Sequence, residues 1–369
     1  MRIGIISMQK VVNYGSFMQA YALRQLIKEA TGEEAKFIDI EKGRALDFVK
    51  KEDTKSRVRR LLNIIFSGKI IEKMKDKIYS KKLYEQFSTK FYDLLNLTEE
   101  DNYVKYDNVV IGSDEVFHCC QNTPWGFTTQ LYGNVKNAKN VFSYAASFGA
   151  TTLNQIKENN LDSDIKQYLE RMHSISVRDN NSKYIIENLL NKTPEEHLDP
   201  VLLWNFTQEL NNTNTTGLKR DYLLVYSYIG RINDKNDIKE ILKFAKDRNL
   251  EIVTIFCRYN WADKCIFPET PFQVLKYYQD AKYVITDTFH GSIFSIIQHK
   301  QFCTLVRKTN KEKLESLFKK FNLEDRIVTK AYQIFGIIDK TIDYKKVDLI
   351  REQERKRAIK YLKDNIING

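Results

Sequence analysis

The stretch RIGIIS at residues 2–7 is an apolar run bounded by polar residues, and it predicts a short buried β-strand. A polar loop follows, and residues 16–30 then carry apolar side chains at three-to-four spacing, which predicts a helix. Residues 35–40 predict a second strand. Because a strand, a helix and a strand in this order form a unit with two parallel strands, the opening segment indicates an α/β fold.

The same alternation continues along the chain and predicts two α/β domains. Further strands are predicted at residues 108–112, 140–144, 174–177, 222–229, 251–256, 281–286 and 302–306. The chain becomes polar and turn-like around Asp199 and Pro200 and again at residues 211–216, where we place a domain boundary. The pattern favours two Rossmann-like domains facing each other across a cleft, which is the default position of an active site.

The predicted N-terminal domain covers residues 1–205 and contains a basic helical insertion at about residues 46–100. The predicted C-terminal domain covers residues 218–345. The last unit, residues 346–369, consists mainly of a charged amphipathic helix, which is predicted over residues 344–367.

Composition excludes several classes of protein. Of the 369 residues, 42% are hydrophobic and 29% are charged, which excludes a disordered chain. No apolar run approaches the ~18 residues that a membrane-spanning helix needs, and the N-terminus lacks the pattern of a signal peptide. The five cysteines include no Cys-x-x-Cys pair, which argues against a disulfide scaffold or a zinc site. We therefore expect a cytoplasmic protein.

The positive charge is concentrated in one segment. Residues 50–90 contain thirteen Lys or Arg and five Asp or Glu, a net charge of +8 out of a total of +11. Within this segment, apolar residues at helical spacing define a stripe: Leu61, Leu62, Ile65, Ile70, Ile71, Met74 and Ile78. A basic amphipathic helix is typical of contact with an anionic membrane, but a solvated insertion with its stripe on the core has the same pattern. Nucleic-acid binding is disfavoured, because the aromatic residues here form no recognisable binding motif.

The sharpest local feature is YVITDTFHGSIF at residues 283–294, where a predicted strand turns into a helix. The N-terminus of a helix attracts anions, and His290 just before it could add a hydrogen bond or a proton. Gly291 would allow close approach of a ligand, and Ser292 could cap the helix. The structural alternative is that Ser292 and Asp287 only cap the helix and that His290 is an ordinary turn residue.

Two other strand ends carry charged residues. Arg178 ends a strand, and its planar guanidinium suits a phosphate or a carboxylate, although a surface salt bridge would look the same. Ser113, Asp114 and Glu115 follow another strand and offer carboxylates for general base catalysis or for binding sugar hydroxyls. Their structural alternative is helix capping.

The loop near the N-terminus offers a third group. Asn13 and Tyr14, together with Gln19, provide amide and aromatic contacts typical of carbohydrate recognition; the alternative is a tight turn. The remaining histidines have no partner at metal-ligand spacing, so no metal is expected.

Six segments in the same order resemble motifs of the polysaccharide pyruvyl transferase family. They are residues 13–23, 107–117, 143–149, 176–178, 199–203 and 286–295. The resemblance spans roughly residues 1–310. This chain has Glu115 where the family usually has Gln, Phe117 where it has Trp, and Thr288 where it has Ser.

The resemblance implies transfer of pyruvate from phosphoenolpyruvate to two hydroxyls of a sugar, as a cyclic ketal. It implies a fold similar to that of the GT-B glycosyltransferases and requires no cofactor. The C-terminal domain would bind phosphoenolpyruvate through His290, Gly291 and Ser292. Arg178 of the N-terminal domain would be a further ligand, brought to them by the cleft. The N-terminal domain would bind the acceptor through Asn13, Tyr14, Gln19 and Ser113. His290 would also be the general acid, and Asp114 or Glu115 would deprotonate the acceptor.

The implied acceptor is a unit of a bacterial polysaccharide or its lipid-linked precursor, so the basic segment could place the enzyme at the inner face of the membrane. Two other functions stay open. A nucleotide-sugar glycosyltransferase would have the same architecture, but no acidic site for a ribose is visible in the C-terminal half. A catalytically silent glycan-binding protein would not need His290 and Arg178.

Overall fold

The N-terminal half of the chain is built around a parallel sheet. The computed structural model describes residues 1–46, 70–121, 123–214, 218, 220–307 and 310–369. Within these residues the first sheet has the strand order β2-β1-β3-β4-β5-β6, and every neighbouring pair is parallel. The strands are β1 (Ile3–Ile6), β2 (Lys36–Phe37), β3 (Tyr106–Asp114), β4 (Ala138–Ala146), β5 (Ser176–Val177) and β6 (Glu195–Glu196).

Helices of the N-terminal half cover both faces of this sheet. They are α1 (Tyr14–Thr31), α2 (Ile70–Gln86), α3 (Leu153–Glu158), α4 (Asp162–Leu169), α5 (Asn180–Leu190), α6 (Pro200–Leu203) and α7 (Thr207–Asn211). Helix α1 begins after Asn13, whose side chain accepts a hydrogen bond from the backbone N–H of Gly15, and it ends at Gly32, which has a φ of 78°. Both residues suit these positions, since Asn is a preferred N-cap and Gly adopts positive φ without strain.

The C-terminal half repeats the arrangement. Its sheet has the order β12-β11-β10-β7-β8-β9, again with parallel pairs. The strands are β7 (Tyr222–Tyr226), β8 (Glu251–Ile255), β9 (Lys264–Ile266), β10 (Tyr283–Thr286), β11 (Gln301–Leu305) and β12 (Ile327–Val328). The helices are α8 (Lys235–Asp247), α9 (Pro271–Asp280), α10 (Phe289–Ile297), α11 (Lys311–Phe321), α12 (Ile334–Ile337) and α13 (Tyr344–Ile367). The predicted fold class, two Rossmann-like domains facing across a cleft, is therefore confirmed.

Each sheet has one point at which the strand order reverses direction. In the first sheet it lies between β1 and β3, and in the second it lies between β7 and β10. Loops that leave two neighbouring strands in opposite directions open a crevice at the carboxyl ends of the strands, which is where open α/β sheets bind ligands. The loops after β1, β3, β7 and β10 line one cleft between the two sheets.

Helix α13 follows the C-terminal sheet in the chain but packs against the N-terminal half. The side chain of Asn108 donates a hydrogen bond to the carbonyl of Ile366 over 3.0 Å. The hydroxyl of Tyr361 donates to the carbonyl of Ser143 over 2.9 Å. The predicted bounds of this helix, residues 344–367, are confirmed.

The central strands are buried on both faces, as a sheet covered by helices requires. Strands β3, β7 and β10 present Val, Ile and Leu side chains that are fully enclosed. Burying each such side chain contributes roughly 1.5–3 kcal/mol to folding. All five cysteines are free in this structure.

The described part of the basic segment is helix α2, which carries two apolar stripes. Tyr79, Leu83 and the following Phe87 pack against the core. Ile71, Met74 and Ile78 lie on another face and are 64%, 59% and 64% exposed. The core-facing interpretation is therefore wrong for these three residues. The predicted stripe positions Leu61, Leu62 and Ile65 lie outside the described residues.

Candidate functional site

A cavity of about 560 Å³ lies in the cleft between the carboxyl ends of the two sheets. Five residues predicted to form the site line this cavity: Asn13, Asp114, Glu115, Arg178 and His290. They come from three different loops or strand ends of the N-terminal half and from helix α10 of the C-terminal half. The fold therefore brings together residues that the sequence separates by more than 270 positions.

His290 lies in the first turn of helix α10. The helix begins three residues before Ser292, and Thr288 is its N-cap, since the Thr288 hydroxyl accepts a hydrogen bond from the backbone N–H of Gly291 over 2.9 Å. A Cβ atom on Gly291 would come within 2.1 Å of the Thr286 hydroxyl, so only glycine fits there. The helix thus directs its N-terminus and its positive dipole end at the cleft.

The cap of this helix is Thr288, so the predicted capping role of Ser292 is wrong. Ser292 also does not line the cavity, so the structure does not support its predicted role as a phosphate ligand. Its side chain is fully buried, donates to the carbonyl of Thr288 over 3.0 Å and contacts the Thr304 hydroxyl at 2.9 Å. Gly291 is also absent from the lining of this cavity, and its N–H donates to the Thr288 hydroxyl. The helix begins at Phe289 because Thr288, and not Ser292, occupies the N-cap position.

Arg178, Asp199 and His290 form a group that we call the buried cluster. One nitrogen of the Arg178 guanidinium donates to Oδ2 of Asp199 over 2.7 Å. Nε2 of His290 lies 3.4 Å from the same oxygen. The carboxylate of Asp199 therefore lies between the Arg178 guanidinium and the His290 imidazole, which come from opposite sides of the cleft.

Within the buried cluster, the charges of Arg178 and Asp199 stabilise each other. Burial alone would raise the pKa of Asp199, but His290 and Arg178 lower it below its usual value. Burial alone would lower the pKa of Arg178, but Asp199 and Asp114 raise it. The Arg178 guanidinium also lies over the ring of Phe289 at 4.5 Å, so a cation–π contact fixes its plane.

Asp114 lies at the end of β3 with a φ of 71°, a left-handed conformation that Asp tolerates better than most residues. Its Oδ2 accepts a hydrogen bond from the hydroxyl of Ser16 over 2.8 Å. Its Oδ1 lies 3.5 Å from the Arg178 guanidinium, at the weak end of an ion pair. Among the described residues, Oδ1 of Asp114 thus makes only this weak contact with Arg178, and Asp114 lines the cavity.

Glu115, His118 and Lys313 form a second group, the outer cluster, which also crosses the cleft. Nζ of Lys313 donates to Oε1 of Glu115 over 2.7 Å, and Nδ1 of His118 lies 3.1 Å from Oε2. Burial alone would raise the pKa of Glu115, but Lys313 and His118 hold it well below its usual range. A carboxylate paired on both oxygens is a weak base, so the structure does not support the predicted role of Glu115 in deprotonating an acceptor.

The predicted acceptor-binding residues divide into one that lines the cavity and three that are buried. The amide of Asn13 donates to the hydroxyl of Tyr228 over 2.8 Å across the cleft. Tyr14 packs against Phe87, and its side chain is fully enclosed. Gln19 and Ser113 are equally buried, and their side chains bind the hydroxyl of Ser7 and the carbonyl of Ala145. The structure therefore does not bring the side chains of Tyr14, Gln19 and Ser113 to the cavity, and only Asn13 of the four predicted acceptor ligands lines it.

Gly15 lies between Asn13 and Ser16, where the sequence offered a tight turn as one interpretation. In the structure it allows the two halves of the protein to pack closely. A Cβ atom there would lie 2.2 Å from the ring of His290. The absence of a side chain allows the imidazole of the C-terminal half to rest against the first turn of α1. The first and last of the six motifs therefore meet in space.

Several cavity-lining residues were not predicted: Ser16, Trp125, Tyr228, Arg231, Asn310 and Lys313. Ser16 belongs to a recognised motif and could have been found from it. Arg231 and Lys313 follow β7 and β11 in segments with no motif, and only the topology places them at the cleft. Among the residues that the structure describes, no three His, Cys, Asp or Glu side chains form a group suited to a metal ion.

A second cavity of about 560 Å³ lies elsewhere, beside α6, α7 and the start of α13. Its charged residues are paired, for example Arg351 with Asp348 at 2.9 Å and Arg355 with Glu29 at 2.6 Å. None of the predicted site residues lines this cavity, so the cleft remains the candidate site.

Comparison with solved structures agrees with the fold. A UDP-GlcNAc 2-epimerase from Neisseria meningitidis bound to UDP-GlcNAc is similar, with 11% identity, a TM-score of 0.50 and 100% of each chain covered. Another UDP-N-acetylglucosamine 2-epimerase has 12% identity, a TM-score of 0.52 and coverage of 100% of this chain and 96% of its own. At these identities the likeness establishes the fold alone, which is the two-domain architecture similar to GT-B proteins.

A search of curated protein sequences found no match. The sequence profile of one family, described as polysaccharide pyruvyl transferase, matches residues 13–309. This range covers most of the chain. It includes the whole buried cluster and, from the outer cluster, Glu115 and His118; Lys313 lies just beyond it. The chain belongs to the polysaccharide pyruvyl transferase family.

Proposed function

We propose that this enzyme transfers pyruvate from phosphoenolpyruvate to two hydroxyl groups of a sugar, forming a cyclic ketal. The observation that carries the proposal is the buried cluster, in which His290 and Arg178 share Asp199 at the edge of the cleft. Phosphoenolpyruvate carries a phosphate and a carboxylate, and it needs an acid close to its double bond. The cluster and the N-terminus of α10 provide cationic groups and an acid at one place.

His290 is the proposed general acid and phosphate ligand. The Asp199 carboxylate lies 3.4 Å from Nε2 and positions the imidazole at the cleft, where the imidazole can donate a proton to the ligand. Transfer of this proton to the methylene carbon of phosphoenolpyruvate produces a methyl group and a positive charge at C2. Arg178 contributes by holding Asp199 and by its own positive charge beside Phe289.

Asp114 is the proposed base for the acceptor. Its carboxylate, hydrogen bonded to Ser16, lines the same cavity as His290. The first sugar hydroxyl attacks C2 and loses its proton, and the bond between C2 and the phosphate oxygen then breaks. The second hydroxyl closes the ketal and loses its proton as well. Of the two protons released, one balances the proton that formed the methyl group and the other leaves with phosphate.

Ligand binding tests the donor. We expect phosphoenolpyruvate at 100 times its dissociation constant to stabilise the protein by about 2.7 kcal/mol, and UDP-GlcNAc to leave thermal unfolding unchanged. Stabilisation by UDP-GlcNAc and none by phosphoenolpyruvate would favour the nucleotide-sugar glycosyltransferase instead.

Substitution of His290 tests the mechanism. His290→Gln should lower turnover about 100- to 1000-fold, the usual effect of losing one group that stabilises developing charge. His299 is a matched control, because it lies just beyond the other end of α10 and pairs with Asp348 at 3.0 Å. His299→Gln should leave turnover unchanged, and near-normal turnover in His290→Gln would contradict the assigned role.

We also propose that helix α2 contacts an anionic membrane surface. Its exposed stripe, Ile71, Met74 and Ile78, lies on a helix rich in lysine. None of the helices in the described part of the chain is both long enough and apolar enough to cross a membrane. An exposed apolar stripe flanked by lysines fits shallow insertion combined with electrostatic attraction, and such contact would suit a lipid-linked acceptor.

Sedimentation with anionic vesicles tests this contact. Binding should weaken at 1 M salt, where the Debye length falls to about 3 Å. Replacing Ile71, Met74 and Ile78 by Ser should reduce binding, whereas Leu349→Ser, at an equally exposed apolar position on α13, should not. Failure of the protein to sediment at low salt would contradict the proposal.

A further inference from the structure

The charges that line the cleft are almost fully paired within the protein. In the buried cluster, Arg178 contacts both Asp199 and Asp114. In the outer cluster, Lys313 and His118 share Glu115. Since Arg178 and Lys313 each have a carboxylate partner, the paired groups offer little net positive charge to a ligand that carries both a phosphate and a carboxylate.

Arg231 is different from the other cations of the cleft. It lines the cavity in the loop after β7, at the point where the strand order of the C-terminal sheet reverses. Across the described ranges, no carboxylate lies within ion-pair distance of its guanidinium, and the guanidinium makes no hydrogen bond to the protein. Its positive charge is therefore available to a ligand.

Both ends of Arg231 are held in place. Its guanidinium lies over the ring of Tyr228 at 4.3 Å, and the hydroxyl of Tyr228 accepts a hydrogen bond from Asn13. Its backbone carbonyl accepts a hydrogen bond from Arg307, which pairs with Asp287 at 2.9 Å. Asp287 lies in the loop that leads to α10, so the position of Arg231 is tied to the segment that carries His290.

We infer that Arg231 is the ligand for an oxyanion of the donor, its phosphate or its carboxylate. The assignment rests on the proposed function, because it names how that donor is bound. The guanidinium is planar and offers paired donors that match either group. It supplies the unpaired positive charge that the two clusters lack, and stacking on Tyr228 lowers the entropy lost when a ligand binds. Asn13, which also lines the cavity, positions Tyr228 through its hydrogen bond.

The test compares donor binding by the unaltered protein and by Arg231→Gln, using calorimetry with phosphoenolpyruvate. Loss of a hydrogen-bonded ion pair to the ligand should weaken binding about 10- to 100-fold. Arg231→Lys should restore part of the affinity, because it keeps the charge but not the paired donors. Arg171→Gln is the matched control, since Arg171 also stacks on a tyrosine, at 5.0 Å from the ring of Tyr168, away from the cavity.

Two further ligands identify the oxyanion. If Arg231→Gln weakens binding of inorganic phosphate but not of pyruvate, the arginine binds the phosphate; the reverse result assigns it to the carboxylate. Affinity for phosphoenolpyruvate equal to that of the unaltered protein would overturn the assignment alone. Failure of the unaltered protein to bind phosphoenolpyruvate would overturn both the proposed function and the assignment. Unfolding without ligand, measured on each variant, excludes loss of the fold as the cause.

Discussion

The buried cluster and the outer cluster both join the two halves of the protein across the same cleft, but they differ in exposure. The side chains of Arg178, Asp199 and His290 are 0–9% exposed. Those of Glu115, His118 and Lys313 are 11–25% exposed. Water therefore stabilises the separated charges of the outer cluster better than those of the buried cluster.

This difference in exposure indicates that the two clusters have different roles. In the buried cluster, removal of one member leaves the others charged and poorly solvated, so the three groups hold each other in fixed positions. In the outer cluster, Lys313 can leave Glu115 at a smaller cost, because both groups reach water. The first arrangement suits the reacting groups of a site, and the second suits a contact that opens when a substrate enters.

The largest expected effect comes from neutralising the centre of the buried cluster. Asp199→Asn should lower the free energy of unfolding by about 3–5 kcal/mol, because it leaves the Arg178 charge buried without its main partner. Asn retains the cap of α6, where Asp199 accepts from the N–H of Val201, so the loss reports the charge. Urea denaturation measures it.

Asp234→Asn is the control for that experiment. Asp234 also caps a helix, α8, but it is exposed and lies outside the clusters. Its replacement should cost less than about 1 kcal/mol. Equal losses for the two variants would contradict the distinction between a cap and a buried charge.

A smaller effect is expected from His197, which is buried beside the cluster without a buried carboxylate. Its ring is stacked with Tyr144, and the carboxylate 3.4 Å away belongs to Glu195, which is 61% exposed. Burial, and then the charges of Arg357 and Lys320, lower the pKa of His197 to about 3. The protein should therefore lose stability as the pH falls below the ordinary histidine pKa of about 6.5, since only the unfolded chain takes up the proton.

The size of that loss follows from the shift. Between pH 8 and pH 5 it should reach about 2 kcal/mol, at 1.36 kcal/mol per pH unit below 6.5. His197→Phe, which keeps an aromatic ring against Tyr144, should remove this part of the acid sensitivity in urea denaturation at the two pH values. The same dependence on pH in the variant would show that other groups cause it.

The smallest effect is expected in the outer cluster. A double-mutant cycle with Glu115→Gln and Lys313→Met should give a coupling energy of about 1 kcal/mol, because partly exposed pairs gain little over their solvated states. Denaturation of the two single variants and the double variant measures it. A coupling of 3 kcal/mol or more would mean that the two clusters do not differ in the way their exposure indicates.

The sequence predicted the elements and the two-domain fold well, because each depends on local patterns. Periodicity placed helix α13 at its observed bounds. The site was predicted in part, since Asp114, Arg178 and His290 follow strands and so reach the carboxyl ends of the sheets. Membership of a motif did not identify which of its residues line the cleft: Tyr14 and Ser292 lie beside cleft residues in the chain but face the interior.

The remaining parts depend on contacts between distant residues. Lys313 meets Glu115 across 198 positions, and no local pattern in α11 indicates that partner. Arg231 has an unremarkable sequence environment, and only the position of β7 beside β10 places it in the cleft. Such contacts follow from the packing of the two sheets, which periodicity does not specify.

Helix α13 has a consequence for folding during synthesis. The hydrogen bond from Asn108 to Ile366 joins residues 258 positions apart, and the helix closes over a sheet made long before it. At about 5–20 residues per second, the ribosome needs roughly 13–50 seconds to add that length of chain. During that interval, the surface of the N-terminal sheet that receives α13 is exposed to solvent, and a chaperone can bind it.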